Sequence, residues 1–233
     1  MKIHRFIIDR DLDAKKLEIA DQELFNQFNN VLRLGIGSLV KVSDGKGREA
    51  LAQIISLNKG SVSLELQETV KNNNDPSRYV ILYCSLLKRE NFELVVQKAT
   101  EVGVKEIFPV ITERTVKFNV KMERLQKIMK EAAEQSGRGV LPKISEPIRF
   151  SQAMEHGKHN DLNWFLDISG LPLKKGLVGP KSRLGVFVGP EGGWTGKELA
   201  SAKGDKFKVV NLGKLTLRAE TAAVVASYLA TSF

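Results

Sequence analysis

GPEGGWT (189–195) sets a glycine, a proline, a carboxylate and two more glycines between an apolar run, RLGVFVG (183–189), and a segment with helical patterning. Glycines in such a place let the backbone come close to a ligand and present amide and carbonyl groups to it. Glu191 would repel a phosphate and tolerates a ligand that carries positive charge. A second loop, LGKLTLRAET (212–221), follows another apolar stretch and carries Arg218 and Glu220. An ordinary tight turn with a helix cap accounts for Gly192, Gly193 and Thr195. It does not account as well for Pro190-Glu191, or for a second loop of the same kind.

Other chemistries find less support. The chain has no GxxxxGK[ST] phosphate loop, and Gly35-Ile36-Gly37 lacks a third glycine and leads into a strand, so it reads as a turn. His156 and His159 stand in HGKH without a cysteine or a third histidine nearby, which argues against a metal site. No G-x-S-x-G elbow supports a serine hydrolase. Cys84, the single cysteine, lies within an apolar run and reads as packing; alone it excludes an intrachain disulfide and a cysteine-based zinc cluster. Among cofactors, S-adenosylmethionine has a sulfonium and no phosphate, and suits a carboxylate-bearing glycine loop better than ATP or NAD.

These loops need elements to position them. The first 70 residues read as short strands and tight turns, with DG at 44–45, NKG at 58–60, and alternation at Val62, Leu64 and Leu66, which together suggest a small β-barrel. DQELFNQFNNVLRL (21–34) has the spacing of one amphipathic helix. KNNNDPS (71–77) reads as a linker. Beyond it, continuous apolar runs such as YVILYCSLL (79–87) alternate with helical segments, the pattern of a parallel α/β sheet whose strands are buried on both faces. Thr195 and Glu198 have capping-box spacing, which starts a helix after the first loop. In an open α/β sheet, ligands bind beyond the carboxyl ends of the strands, where both loops fall.

Composition bounds the partners. With 36 Lys and Arg against 27 Asp and Glu, the formal net charge is +9 and the pI is about 9.6, which favours polyanions. No apolar run reaches the ~18 residues of a membrane span, and the N-terminal apolar stretch is too short for a secretory signal; the expected location is cytoplasmic. Lys88, Arg89 and Arg114 follow strands and should share the rim of the ligand loops. Arg138 stands in EAAEQSGRG at a helix end, where a solvated face is the plain alternative.

GPEGGWT and LGKLTLRAETA, together with QKATEVGV and EAAEQSGR, resemble the bacterial 16S ribosomal RNA uracil-N3 methyltransferases of the SPOUT superfamily. MKIHRF and VLRLGIG (31–37) are similar to that family's N-terminal PUA-like domain. The resemblance covers essentially the whole chain. It implies an RNA-binding PUA-like β-barrel over 1–72 and, over 73–233, a methyltransferase domain whose parallel sheet is tied in a deep trefoil knot. It also implies a homodimer without metal or membrane, acting on 16S ribosomal RNA within the small subunit. S-adenosylmethionine would lie against Leu166 and Asp167 in the first knot loop and Gly189, Pro190, Glu191 and Gly192 in the second. In the third it would meet Leu212, Gly213, Leu217 and Thr221. One departure stands out: Leu215 and Thr216 occupy the two places where the family has a basic residue and Ile or Val, and Lys214 is the nearest cation.

Methylation at uracil N3 needs that proton removed and the resulting charge on the carbonyl oxygens stabilised. Glu191 is the expected base, with Arg218, Arg5 or Arg33 as the cation. Arg5, Arg33, Lys88, Arg89, Arg114 and Arg138 are the expected RNA contacts. A related enzyme acting on another RNA or on a ribose hydroxyl is one alternative, and a non-catalytic RNA-binding or ribosome-assembly protein is the other.

Overall fold

The computed structural model describes residues 3–115, 120–173 and 182–232. The chain divides into two compact units, Met1–Asp75 with Ala133–Leu141, and Pro76–Ala132 with Pro142–Phe233.

In the N-terminal unit, β1 (Arg5–Ile7), β2 (Lys16–Ala20), β3 (Leu39–Ser43), β4 (Arg48–Asn58) and β5 (Ser61–Lys71) form a five-stranded sheet in the order β1-β3-β4-β5-β2. The β1–β3 pair is parallel and the others are antiparallel. Alternation drives the sheet: Val62, Leu64 and Leu66 are buried with Val40, Val42, Ala52 and Ile54 in one core. The amphipathic stretch at 21–34 is not one helix. Asp21 caps a short α1 (Gln22–Asn26) by accepting from the amides of Glu23 and Leu24, and a π-helical turn follows over Gln27–Val31. Phe28 is held against Phe6 with ring centroids 4.5 Å apart. Asparagines at 26, 29 and 30 have low helix propensity, and the chain leaves the turn at Arg33 in the left-handed region, φ 53°.

The 71–77 segment is not a loose tether. Asn72 is buried and donates from Nδ2 to Glu49 Oε2 (2.7 Å) and to the Gly137 carbonyl (3.2 Å). Asp75 accepts from Arg138 Nε (2.9 Å) and from the amides of Gly139 (3.0 Å) and Val140 (3.1 Å). Its polar composition satisfies buried backbone groups rather than solvating a linker.

In the C-terminal unit the strands are β6 (Tyr79–Ser85), β7 (Glu106–Ile111), β8 (Lys143–Ile144), β9 (Ile148–Arg149), β10 (Leu162–Pro172), β11 (Arg183–Val188) and β12 (Lys208–Asn211). They run parallel in the order β12-β10-β11-β6-β7-β8, with β9 also on β7. The helices are α2 (Arg89–Glu101), α3 (Met122–Ser136, whose residues from Ala133 on belong to the N-terminal unit), α4 (Phe150–Gly157), α5 (Gly196–Gly204) and α6 (Ala219–Ser232). α2 and α6 pack together, and α6 also covers β6 and β11. The apolar runs are strands because helices cover both faces: every residue of β6 after Tyr79 is buried. The other face carries stacked rings, with Tyr83 to Phe187 at 4.1 Å and Phe165 to Trp194 at 4.3 Å. α4 holds His156 of the HGKH stretch, whose Nδ1 lies 2.6 Å from the Tyr83 hydroxyl. Burial pushes His156 below its ordinary value and Tyr83 up to about 12.

Candidate functional site

Five loops leave the carboxyl ends of the parallel strands in this unit, and hydrogen bonds join them in pairs. Pro190 to Gly193 make a tight turn closed by the Gly193 amide on the Pro190 carbonyl (2.8 Å). Gly193 has φ 68°, which a side chain would strain. The turn leaves Glu191 exposed at its tip, and Glu191 Oε1 accepts from the Lys88 amide at 3.2 Å, linking the loop after β11 to the loop after β6. Arg114, beyond β7, donates from Nη1 to the Gly192 carbonyl (2.6 Å) and reaches the Trp194 carbonyl (3.4 Å).

Trp194 is buried and donates from Nε1 to the Leu166 carbonyl at 2.9 Å, joining the loop after β11 to β10. The capping box works in two directions. Glu198 Oε2 accepts from the Thr195 amide (2.8 Å) to start α5, while Oε1 accepts from the Glu113 amide (3.1 Å). Glu198 is 4% exposed, so this carboxyl group both caps a helix and fixes the loop after β7.

β10 bulges over β12, since both Leu166 and Leu171 pair with Val210. Asp167 Oδ1 turns the bulge by accepting from the Ser169 amide (2.9 Å) and hydroxyl (2.6 Å). Gly170 sits so close to β12 that an added Cβ would lie 2.6 Å from the Val210 nitrogen. Asn211 Nδ2 locks the contact through the Gly170 carbonyl (2.6 Å), and its Oδ1 accepts from the Gly213 amide (3.1 Å) to start the 212–218 loop. That loop ends at Arg218, whose carbonyl accepts from the Ala222 amide (2.8 Å) in the first turn of α6.

The sequence-predicted residues therefore fall as follows. Gly189, Pro190, Glu191, Gly192, Leu212, Gly213, Leu217 and Arg218 lie in these loops, Leu166 and Asp167 lie within β10 at its bulge, and Thr221 lies in the first turn of α6. Leu166 and Pro190 are buried, Asp167, Gly189, Leu212 and Leu217 half-buried, and Glu191, Gly192, Gly213, Arg218 and Thr221 exposed. Lys88 and Arg114 are exposed on the loops after β6 and β7, and Arg89 is exposed at the start of α2, paired to Glu93 (3.0 Å). Residues 116–119, shortly after Arg114, lie outside the described residues.

The N-terminal unit holds the rest. Arg33 is exposed. Arg5 is mostly covered, with Nη2 on Glu49 at 3.0 Å, so its pairing supports a structural role and gives none to the expected catalytic one. Arg138 needs correction as an RNA contact: it is 3% exposed and bound to Asp75, Nη2 to Oδ1 2.8 Å. Its place next to two glycines suggested an open helix end; instead the chain folds its guanidinium inward onto a carboxylate, and burial pushes its pKa down against the pull of Asp75. Sequence reasoning missed Trp194, Glu198 and Asn211 as ties between loops, and their contacts have no local signature. Among the described residues no group of three or more His, Cys, Asp or Glu could hold a metal, and no helix is long and apolar enough to cross a membrane.

Comparison with known proteins agrees with this architecture. Residues 73–231 match an RNA methyltransferase domain, and residues 30–67 match the PUA domain of RNA methyltransferases. Ribosomal RNA small subunit methyltransferase E from Rickettsia conorii is 33% identical over 236 residues, covering 97% of this chain and 94% of its own length. The protein of the same name from Synechocystis sp. is 37% identical over 205 residues, which is 84% of this chain and 66% of the relative. The crystal structure of ribosomal RNA small subunit methyltransferase E from Neisseria gonorrhoeae bound to S-adenosyl methionine superposes with a TM-score of 0.88 at 30% identity, covering 97% of this chain and 95% of that one. A putative methyltransferase from Legionella pneumophila in complex with the same cofactor gives 0.91 at 27% identity, over 99% and 97% of the two chains. Joined to the parallel sheet, its linked loops and the five-stranded N-terminal unit, these matches show that the chain belongs to the RNA methyltransferase family whose members are named ribosomal RNA small subunit methyltransferase E.

Proposed function

We propose that this chain transfers a methyl group from S-adenosylmethionine to N3 of a uracil in 16S ribosomal RNA of the small subunit. The observation that carries the reading is the set of linked loops at one end of the parallel sheet, with an anchored but exposed carboxylate, Glu191, at the tip of one of them. The residues present suit the cofactor. The loops offer backbone amides and carbonyls, and the neighbouring first turn of α6 holds a buried carboxyl oxygen of Glu220 without a hydrogen-bond partner. Leu166, Asp167, Gly189, Pro190, Gly192, Leu212, Gly213, Leu217 and Thr221 would hold it. When bound, the cofactor supplies an electrophilic methyl carbon on a positively charged sulfur.

Glu191 takes the N3 proton, leaving a lone pair on nitrogen that bonds to the methyl carbon as the carbon–sulfur bond breaks. S-adenosylhomocysteine and 3-methyluridine are the products. Arg218, exposed at the head of α6, faces the negative charge that develops on the flanking carbonyl oxygens. Holding nitrogen and methyl carbon in line supplies most of the acceleration, and a bond between loops is how this chain achieves such positioning. Because N3 lies on the Watson–Crick edge, the base must be unpaired or flipped. The N-terminal unit, with exposed Arg33, holds the RNA strand; Lys88, Arg89 and Arg114 add phosphate contacts. The same reading includes the knotted path of the C-terminal strands, a homodimer and a cytoplasmic location.

Mass spectrometry of small-subunit RNA from a deletion strain tests it. Loss of 3-methyluridine supports the assignment, and an unaltered nucleoside profile overturns it. Glu191→Gln should abolish methylation in vitro while calorimetry still detects S-adenosylmethionine binding; unchanged turnover would remove Glu191 from the mechanism.

A further inference from the structure

Glu220 is the second residue of α6, 8% exposed, and its Oε2 has no hydrogen-bond partner. An acidic residue in a helix's first turn is commonly explained by the helix dipole. That interaction is available to an exposed side chain and requires neither burial nor an open oxygen. Burying a carboxyl group without a partner is costly, so native structures rarely leave one without a reason.

The position of Glu220 supplies one. Burial pushes the Cys84 thiol up, and the charges of Glu191 and then Glu220 push it further, so both carboxylates stand around the end of β6. One is exposed at the tip of the 189–193 turn, and the other is buried in α6, which packs on β6 and β11. They differ in what they can receive. Glu191 already accepts a backbone amide and faces solvent. Glu220 keeps an acceptor open in a covered place, where a donor with positive charge offsets the cost of burial best.

We propose that Glu220 completes the cofactor site as the acceptor for the α-ammonium group of S-adenosylmethionine. This rests on the methyltransferase reading. The ligand offers several kinds of polar group, and the sulfonium has no N–H or O–H to donate. The ribose hydroxyls and the adenine amine are neutral donors. The α-ammonium alone is both a donor and a cation, and so it matches a buried carboxylate with an open oxygen.

Calorimetry on the full-length protein with three probes tests the assignment. S-adenosylmethionine and S-adenosylhomocysteine both carry the ammonium, and 5′-methylthioadenosine lacks the whole amino-acid portion. Glu220→Gln keeps the shape and removes the charge. It should weaken the first two ligands by the same factor, about tenfold to a hundredfold for one charge-assisted bond, and leave the third unchanged. The ligand-free variant should melt no lower than the wild type, because a buried carboxylate has been replaced by a neutral amide.

Unchanged affinity for all three ligands overturns the proposal. Loss confined to S-adenosylmethionine would assign the carboxylate to the sulfonium charge and also overturns it. Equal loss for all three, with a lower melting temperature of the free protein, makes Glu220 a structural residue. Failure of the Gln variant to fold would likewise make Glu220 structural, and Glu220→Asp, which keeps the charge, checks that outcome by the same ligand comparison. If the wild type binds none of the three probes, the methyltransferase reading fails instead.

Discussion

Arg114 distinguishes two roles that a basic residue on the rim of this site can play. Its guanidinium lies 2.6 Å from the Gly192 carbonyl and 3.4 Å from that of Trp194, and its Cδ would lie 3.4 Å from a Cβ placed on Gly192. The side chain thus lies along the turn that carries Glu191. A hydrogen bond from a charged donor contributes about 1.5–3 kcal/mol, and the exposure of Arg114 puts it at the lower end of that range. Arg114→Ala should make the closed turn less favourable by about 1.5 kcal/mol. If the closed turn is the state that binds, the apparent affinity for S-adenosylmethionine falls up to about tenfold. Global stability should barely move, because a surface loop opens without the sheet. Isothermal calorimetry with the cofactor and denaturant unfolding measure the two quantities on one preparation. Unaltered cofactor affinity together with a shallower salt dependence of RNA binding, by about one charge, would show that Arg114 serves a phosphate and that the brace is incidental.

Gly170→Ala would bring a methyl within 2.6 Å of the Val210 backbone nitrogen, where neither strand can yield cheaply; a loss of about 1–3 kcal/mol is expected by urea unfolding, and full stability would show that the bulge is pliable. Arg138→Ala leaves Asp75 covered without its cation, so about 3–5 kcal/mol should be lost; wild-type stability with weaker RNA binding would restore the RNA-contact role. Burial raises the pKa of Glu49, but hydrogen bonds from Lys41 and Asn72 and the charge of Arg5 outweigh it and hold the carboxyl below its ordinary value of 4.5. The folded value is the lower one, so this stabilisation is complete above about pH 4.5 and is lost as pH falls through the folded pKa. Glu49→Gln should therefore flatten the acid limb of the stability curve below about pH 4.5; an acid limb identical to wild type would mean that these partners do not stabilise the ionised form.

Local chemistry made the two ligand loops and the C-terminal strands readable. The run at 79–87 becomes β6 because a strand covered on both faces needs no polar side, and that requirement is written in consecutive residues. Thr195 and Glu198 announce the start of α5, since a capping box closes within four residues. The turn in GPEGGWT likewise needs only its own backbone. Features with weak local signals escaped: the short strand β2, the helix α4 and the π-helical turn after α1 depend on packing partners such as Phe6 against Phe28.

The sequence by itself determined the parallel sheet, the loops at its carboxyl ends, the family, and a carboxylate at the tip of one loop. Only the tertiary structure decided which of the charged residues face outward. Arg138 looked like a surface cation and is buried on Asp75 across a separation of 63 residues. Trp194 reaches Leu166, 28 residues away, and Glu198 reaches Glu113 across 85. Such bonds depend on where strand ends meet, and pairing order, not neighbouring residues, settles that. Glu220 likewise stands in the sequence as an acid of the second ligand loop, and only the tertiary structure shows it buried in α6 with an oxygen that has no hydrogen-bond partner.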